Sequence, residues 1–153
     1  MENLRRILRT DPKHTDFIRL VKMLDSDLAV RDGKDHDFYA QFNKIDNLHY
    51  AVVAYFKDTP VGCGAMKEFD KDSMEIKRMF VLSEHRGRGF ATLVLHELEK
   101  WASELYCSKC VLETGKKQPE AIALYKKNGY KSVPNYGQYV GVDNSVCFEK
   151  EVD

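Results

Sequence analysis

The sequence has no long apolar run and no excess of charge of either sign. None of its hydrophobic stretches approaches the length of a membrane span, and residues 1–6 lack the apolar core of a secretory signal. The chain holds 24 Lys and Arg residues and 24 Asp and Glu residues, a balance that argues against a surface for nucleic acid or an anionic membrane. We therefore expect a cytoplasmic protein without a nucleic-acid or membrane partner, in which any positive field is local.

Segments typical of linkers are also missing. No Pro-, Gly- or Ser-rich stretch divides the 153 residues, and a chain of this length buries about two thirds of the surface that its unfolded form exposes. We expect a single domain, residues 1–153, that needs no disulfide or metal to fold.

The four cysteines do not have the spacing of a complete metal site. Cys107 and Cys110 form a lone CxxC, with no second CxxC and no nearby pair of histidines to make a tetrahedral zinc site. Cys63 and Cys147 stand apart from them. We expect four reduced thiols and no metal in a cytosolic protein. A helix-to-strand turn flanked by buried thiols explains the CxxC as well as a redox role does.

Hydrophobic periodicity predicts elements in the order β-α-α-β-β-β-α-β-α-β-β. Strands are expected at residues 4–10, 49–56, 61–69, 73–82, 111–114, 130–133 and 145–149, and helices at about 15–30, 36–42, 90–105 and 118–127. Residues 57–60 join two strands as a hairpin, so antiparallel pairing is expected there. We predict an α/β fold with a mixed, mostly antiparallel sheet and helices on both of its faces.

The change from strand to helix periodicity falls at residues 86–91, Arg-Gly-Arg-Gly-Phe-Ala. Glycine adopts backbone conformations closed to other residues, and bare N–H groups at a helix N-terminus bind anions. Arg86 and Arg88 add positive charge at the same place. The segment lacks the Lys-Ser/Thr ending of a P-loop and the third glycine of a dinucleotide fingerprint. It predicts a different phosphate-bearing ligand, and the alternative is a plain strand-to-helix turn with solvated arginines.

Two motifs of the chain resemble those of one known family. Arg86, Gly89 and Ala91 fill the Arg/Gln-x-x-Gly-x-Gly/Ala signature of the GNAT superfamily of acyl-CoA-dependent N-acyltransferases, and residues 121–130 are similar to its second motif. The similarity covers roughly residues 73–130, with the upstream helices and hairpin in the family's order. Two motifs in the correct order are far more specific than one glycine-rich hexamer.

The resemblance implies acetyl-CoA as the cosubstrate and assigns it a binding site. The backbone amides that would hold the CoA pyrophosphate are those of Arg86, Gly87, Arg88, Gly89, Phe90 and Ala91. The dipole of the following helix would add about 0.3 to 1 kcal/mol per charge contact. Met79, Phe80 and Val81 would pair with the pantetheine arm as an added strand does. Gln118 departs from the family's usual Asn, which leaves its contact with pantetheine open.

Tyr125 matches a tyrosine of the family's second motif, and the resemblance implies that it acts as general acid. An amine that attacks a thioester expels a thiolate, and a phenol with an ordinary pKa of about 10 can protonate that thiolate. The alternative is a tyrosine packed in a helix, because Ala121, Ile122 and Tyr125 share a helical face.

Glu75 is the corresponding candidate for the general base. It lies eleven positions before Arg86, where several family members carry a catalytic glutamate. Strand alternation is expected to place Glu75, Lys77, Met79 and Val81 on one face, in line with the acyl-binding segment. The alternative is a charged residue on a solvated strand end, neutralised by Lys77 or Arg78. Whether the base would act directly or through one water stays open.

The resemblance also points to an acceptor site. Arg31 lies where the family's first helical pair usually walls that site, and it could bind a carboxylate bidentately. Tyr136 and Tyr139 belong to a polar, aromatic loop that faces the same region in family members. Ordinary surface turns are the alternative for both segments. We expect a small amine or an amino acid as acceptor, because the chain has no acidic run to receive a lysine-rich protein tail.

Together these features favour an N-acetyltransferase that moves an acetyl group from acetyl-CoA to a primary amine by direct attack. No Cys-His arrangement argues for a covalent intermediate. A non-catalytic acyl-CoA sensor, an N-acetyltransferase for proteins or peptides, and a generic nucleotide-binding domain stay open as alternatives, as does the acyl-chain preference. A mixed sheet with late strands can pair with a second copy, as in many family members, but nothing requires a homodimer.

Overall fold

A computed structural model describes residues 4–33 and 48–152 of the chain, without the side chains of Arg31 and Asp32. Its strands are β1 (Arg5–Thr10), β2 (Tyr50–Phe56), β3 (Thr59–Asp70), β4 (Ser73–Val81), β5 (Lys109–Gly115), β6 (Lys131–Val133) and β7 (Ser145–Glu151). Its helices are α1 (Thr15–Asp32), α2 (Phe90–Glu104) and α3 (Pro119–Lys127). The predicted helix at 36–42 lies outside the described residues. No described helix is both long and apolar enough to cross a membrane.

The seven strands form one sheet in the order β1-β2-β3-β4-β5-β7-β6. Every neighbouring pair is antiparallel except β4 and β5, which run parallel. This confirms the predicted mixed, mostly antiparallel sheet. The connection between β4 and β5 contains α2, as a crossover between parallel strands requires.

Helices cover both faces of the sheet, as predicted. Helix α1 packs on one face, where Phe17, Leu20 and Val21 form a buried cluster with Val53 and Ala65. Helices α2 and α3 lie on the other face, where the buried side chains include Val94, Leu95, Leu98, Tyr125, Val52 and Met66. Strand β2 reads as an unbroken apolar run because it is buried on both of its faces.

Strand β4 contains a bulge that changes which face its side chains occupy. Lys77 lies opposite Ala65 and Phe80 lies opposite Cys63, so two residues of β4 face one of β3. The first of the two, Arg78, has a φ of 61°, a conformation that non-glycine residues rarely adopt. An extra residue resets the two-residue alternation of a strand.

The bulge overturns one expectation from the sequence. Glu75, Lys77, Met79 and Val81 do not share a face. Lys77 lies on the α1 face with Ala65. Glu75, two residues earlier in the regular part of the strand, lies on the same face. Met79 and Val81 instead pack on the face covered by α2 and α3. The prediction was wrong because it assumed unbroken alternation, and the bulge lets one strand supply side chains to both sides of the sheet.

The sheet opens next to this bulge. Strands β4 and β5 pair only where Ser73, Met74 and Glu75 meet Lys109, Cys110 and Val111. Beyond Glu75 the two strands continue for several residues without pairing to each other. A gap through the sheet results, and it connects the α1 face with the face covered by α2 and α3.

Candidate active site

Two adjoining clefts occupy the gap between β4 and β5. We call the larger one, with a volume of about 340 Å³, the outer groove. Its lining includes every predicted cofactor-binding residue except Arg88: Met79, Phe80, Val81, Arg86, Gly87, Gly89, Phe90, Ala91 and Gln118. The chain folds these residues together because the end of β4 leads directly through the glycine loop into α2.

The glycine loop has a backbone that requires its glycines. Gly87 and Gly89 have φ values of 77° and 84°, in the left-handed region that side chains disfavour. Gly89 is the residue before α2, and no side chain that the structure describes caps the N-terminus of α2. Unpaired N–H groups at a helix N-terminus attract anions. The loop therefore has the geometry of an anion cradle.

Arg86 ties this loop to the end of β4. Its Nε donates a hydrogen bond to the Val81 carbonyl oxygen at 2.8 Å, and its guanidinium lies 5.6 Å from the centre of the Phe80 ring. The side chain is therefore held by the strand that precedes the loop. Arg86 therefore stabilises the turn, and its positive charge is held in place.

The smaller cleft, with a volume of about 100 Å³, lies beside the outer groove. We call it the inner chamber. The charged and aromatic side chains that line it include Glu75, Lys77, Arg78, Glu113, Tyr125 and Tyr139, and Leu24 and Leu28 of α1 form an apolar wall. It therefore draws on α1, β4, β5 and the loop before β7, which are far apart in the sequence.

Tyr125 lies where the two clefts meet, because it lines both of them. The residue is 6% exposed, and its ring packs edge-on against Tyr130 with centroids 5.7 Å apart. Within the described part of the chain, its hydroxyl has no hydrogen-bond partner. Burial, with a smaller effect of the Glu113 charge, raises the pKa of Tyr125 well above its ordinary value. The phenol is therefore protonated at neutral pH and able to donate.

Glu75 is 3% exposed and lies in the inner chamber. The Tyr136 hydroxyl donates a hydrogen bond to Glu75 Oε2 at 2.8 Å, and Lys67 Nζ and Lys77 Nζ each lie 3.9 Å from Glu75 Oε1. Burial lowers the pKa of Lys77 and, together with the Glu75 charge, raises the pKa of Tyr136. The carboxylate is thus enclosed, not solvated, and Lys77 is one of two lysines near it.

The remaining predicted site residues lie in different parts of the structure. Tyr139 is 2% exposed and lines the inner chamber, and Tyr136 contacts Glu75, so this loop is not an ordinary surface turn. Arg31 belongs to the last turn of α1, but its side chain is outside the described residues. Arg88 lines neither cleft.

Arg78 and Glu113 both line the inner chamber, although the sequence suggested Arg78 only as a charge that could neutralise Glu75 and gave no role to Glu113. Arg78 instead pairs with Asp25 of α1. One signal was available in β4. Lys77 and Arg78 are adjacent charged residues inside a strand that is otherwise mostly apolar. Regular alternation would bury one of them in an apolar core, so the pair indicates either a bulge or a polar cavity.

The cysteines lie away from this chemistry. All four are buried and free, and burial raises the pKa values of Cys63 and Cys110 to about 12. They are therefore thiols at neutral pH, and inert by the usual criterion of thiolate content. Among residues 4–33 and 48–152, no group of His, Cys, Asp or Glu side chains has the arrangement to hold a metal ion.

Comparison with known proteins identifies the relatives of this chain. The sequence model described as the acetyltransferase (GNAT) family matches residues 17–130. An IAA acetyltransferase of Azospirillum brasilense is 31% identical, over 94% of this chain and 95% of that protein. A Klebsiella pneumoniae structure, described as a candidate acyl-CoA N-acyltransferase, has a TM-score of 0.82 at 28% identity and covers 98% of this chain and 99% of its own.

A more distant structure shows the same fold. A GNAT-family acetyltransferase of Elizabethkingia anophelis, solved with acetyl-CoA bound, has a TM-score of 0.71 at 16% identity and covers 98% of this chain and 99% of its own. The family match spans the bulge, the glycine loop and Tyr125. The resemblance seen in the sequence is confirmed: the chain belongs to the GNAT acetyltransferase family and is an acyltransferase.

Proposed function

We propose that this protein transfers the acetyl group of acetyl-CoA to the primary amine of a small molecule or amino acid by direct attack. The observation that carries the proposal is the position of Tyr125 between two adjoining clefts. One cleft ends at an anion cradle and the other encloses a carboxylate. A thioester in the first and an amine in the second would meet beside a protonated phenol.

The outer groove would hold acetyl-CoA, the cosubstrate that the family uses. Its pyrophosphate would bind the backbone amides of residues 86–91, where the left-handed glycines and the N-terminus of α2 support an anion. Its pantetheine arm would lie along Met79, Phe80 and Val81. Residues 76–81 have no strand partner on the β5 side in the part of the chain that the structure describes, which leaves that edge open to an added strand.

Glu75 would act as the general base, directly or through one water. The attacking amine must lose a proton, and a positioned carboxylate contributes about 10²-fold or more to such a step. Glu75 is enclosed in the inner chamber, and Tyr136 fixes one of its oxygens. Lys67 Nζ and Lys77 Nζ each lie 3.9 Å from its other oxygen, so positive charge stands beside the group that would take the proton.

Tyr125 would act as the general acid. The amine nitrogen forms a bond to the acetyl carbon, the carbon–sulfur bond breaks, and the Tyr125 proton passes to the departing sulfur. Glu75 takes the proton that the nitrogen loses, and the phenol is then reprotonated from solvent. The raised pKa of Tyr125 supports this role, because the proton is present, and no acceptor among residues 4–33 and 48–152 binds the hydroxyl.

The proposal is tested by incubating the purified protein with acetyl-CoA and a panel of amino acids, small amines and peptides. Free CoA is measured with a thiol reagent, and the acetylated product by mass spectrometry. We expect product from at least one small amine. Binding of acetyl-CoA without transfer to any amine would support a sensor instead, and faster turnover of peptides than of any small amine would overturn the proposed acceptor class.

A further inference from the structure

Arg78 carries a buried positive charge that the proposed reaction does not use. Its side chain is 1% exposed, and the residue lines the inner chamber together with Glu75. Arg78 Nε and Nη1 are buried and have no hydrogen-bond partner among the residues that the structure describes. A buried donor without a partner is costly, and more so when it belongs to a charged group.

One nitrogen of this guanidinium is paired. Arg78 Nη2 donates to Asp25 Oδ1 of α1. The Asp25 side chain is 54% exposed, so this ion pair lies at the edge of the protein rather than inside the chamber. Asp25 therefore neutralises part of the Arg78 charge, and the two inner nitrogens still have no acceptor in the described part of the chain.

The carboxylates inside the chamber are engaged elsewhere. Glu75 contacts Tyr136 and two lysines, one of which is Lys77. Glu113 accepts a hydrogen bond from the Ser145 hydroxyl at 2.7 Å. Neither therefore supplies an acceptor to Arg78 Nε or Nη1. An anion that enters the chamber would supply one.

The bulge explains why the arginine is at this place. Without the extra residue, position 78 would alternate into the apolar core beneath α2. Arg78 instead adopts a φ of 61° and pairs with α1 on the opposite side of the sheet. A strained conformation at a residue that lines a cavity is a feature of ligand-binding positions.

We propose that Arg78 binds a carboxylate of the acceptor, so that the acceptor is an amino acid or a similar small molecule with an amine and a carboxylate. This inference rests on the proposed function, because it takes the inner chamber as the acceptor site. A guanidinium matches a carboxylate in charge and planarity. A phosphate dianion fits less well, because Glu75 and Glu113 already bring two negative charges to the same chamber.

Matched acceptor pairs test the proposal: several amino acids and the carboxamides of the same amino acids, with wild type and Arg78→Gln. The ratio of kcat/KM for acid over amide is compared between the two proteins, so that the different amine pKa values of acid and amide cancel. We expect Arg78→Gln to lower kcat/KM for the acids about tenfold to a hundredfold and to change the amides less than about threefold. An equal loss for acids and amides would overturn the proposal.

Asp25→Asn is the matched control. It breaks the same ion pair between β4 and α1 but keeps the guanidinium. We expect Asp25→Asn to retain the preference for acids over amides. If Asp25→Asn abolishes that preference as Arg78→Gln does, the role of Arg78 is to anchor α1 and not to bind a carboxylate. If Arg78→Gln fails to fold, Arg78→Met, which also removes the charge, replaces it with the same expected result.

Failure of the proposed function would be visible separately. If wild type transfers acetyl to no amine, the same amino acids and amides are titrated calorimetrically into the protein saturated with CoA. Tighter binding of the acids in wild type, lost in Arg78→Gln, would still support a carboxylate site. Absence of binding, or equal binding of acid and amide, would overturn it.

Discussion

The outer groove and the inner chamber differ in what they are made from. The groove is shaped by backbone: two left-handed glycines, the N-terminus of α2 and an open strand edge. The chamber is shaped by side chains: charged residues of β4 and β5, and an apolar wall from α1. A site made of backbone suits a ligand that is constant across a family, whereas a site made of side chains can be changed one residue at a time. We therefore expect cofactor binding and acceptor choice to respond to different substitutions.

Glu75→Gln should have the largest effect of the substitutions considered. It should slow the reaction in the inner chamber and leave acetyl-CoA binding in the outer groove unchanged. Loss of a general base is expected to lower kcat by about 10²-fold or more, while the Kd for acetyl-CoA changes less than twofold. Steady-state kinetics and calorimetry measure the two quantities. Glu113→Gln, which removes the other carboxylate of the same chamber, should retain most of the activity. A comparable loss of kcat in both variants would mean that the reaction depends on the negative charge of the chamber and not on a general base.

Tyr125→Phe tests the point where the two clefts meet. Removal of a donor to a developing thiolate should lower kcat about tenfold to a hundredfold. Because the hydroxyl has no partner in the described residues, the free energy of unfolding should change little. Tyr130→Phe is the control, since its hydroxyl donates to Glu99 at 2.8 Å and its loss should reduce stability without reducing kcat. Unchanged kcat in Tyr125→Phe would leave the proposed acid without support.

Gly89→Ala tests whether the outer groove binds acetyl-CoA. A left-handed conformation costs a residue with a side chain roughly 1 to 2 kcal/mol, so the KM for acetyl-CoA should rise about tenfold with little change in kcat. Gly141→Ala carries the same backbone strain, at a φ of 79°, away from both clefts. It should reduce stability and leave the KM alone. If both variants weaken acetyl-CoA binding equally, the effect is one of folding.

The smallest predicted effect concerns Lys77 and the pH dependence of stability. Its pKa is lowered in the folded chain, chiefly by burial, so the unfolded chain binds more protons as pH approaches the ordinary Lys pKa of about 10.4. The free energy of unfolding should then rise with pH in that range, by less than about 1.4 kcal/mol per pH unit. Denaturant unfolding should show that Lys77→Met removes this rise. Lys67→Met, a more exposed lysine at the same Glu75 oxygen, should not.

The features that the sequence predicts correctly include those of the outer groove, and the features that it misses belong to the inner chamber. Strand and helix positions, the hairpin and the glycine loop could be predicted because each depends on residues that are close in sequence. Helix α2 begins at the residue after Gly89, where the periodicity changes. The face of Glu75 was predicted wrongly, because the bulge at Arg78 depends on register with β3. The pairing of Arg78 with Asp25 joins residues 53 positions apart, which no local pattern indicates.

A crystal structure of the protein with acetyl-CoA tests the assignment of the two clefts most directly. We expect the pyrophosphate at the amides of residues 86–91, pantetheine along Met79 to Val81, and the thioester sulfur within hydrogen-bond reach of the Tyr125 hydroxyl. The acetyl group would then point into the inner chamber, toward Glu75. Acetyl-CoA bound away from the glycine loop, or a thioester out of reach of Tyr125, would contradict the assignment of the two clefts.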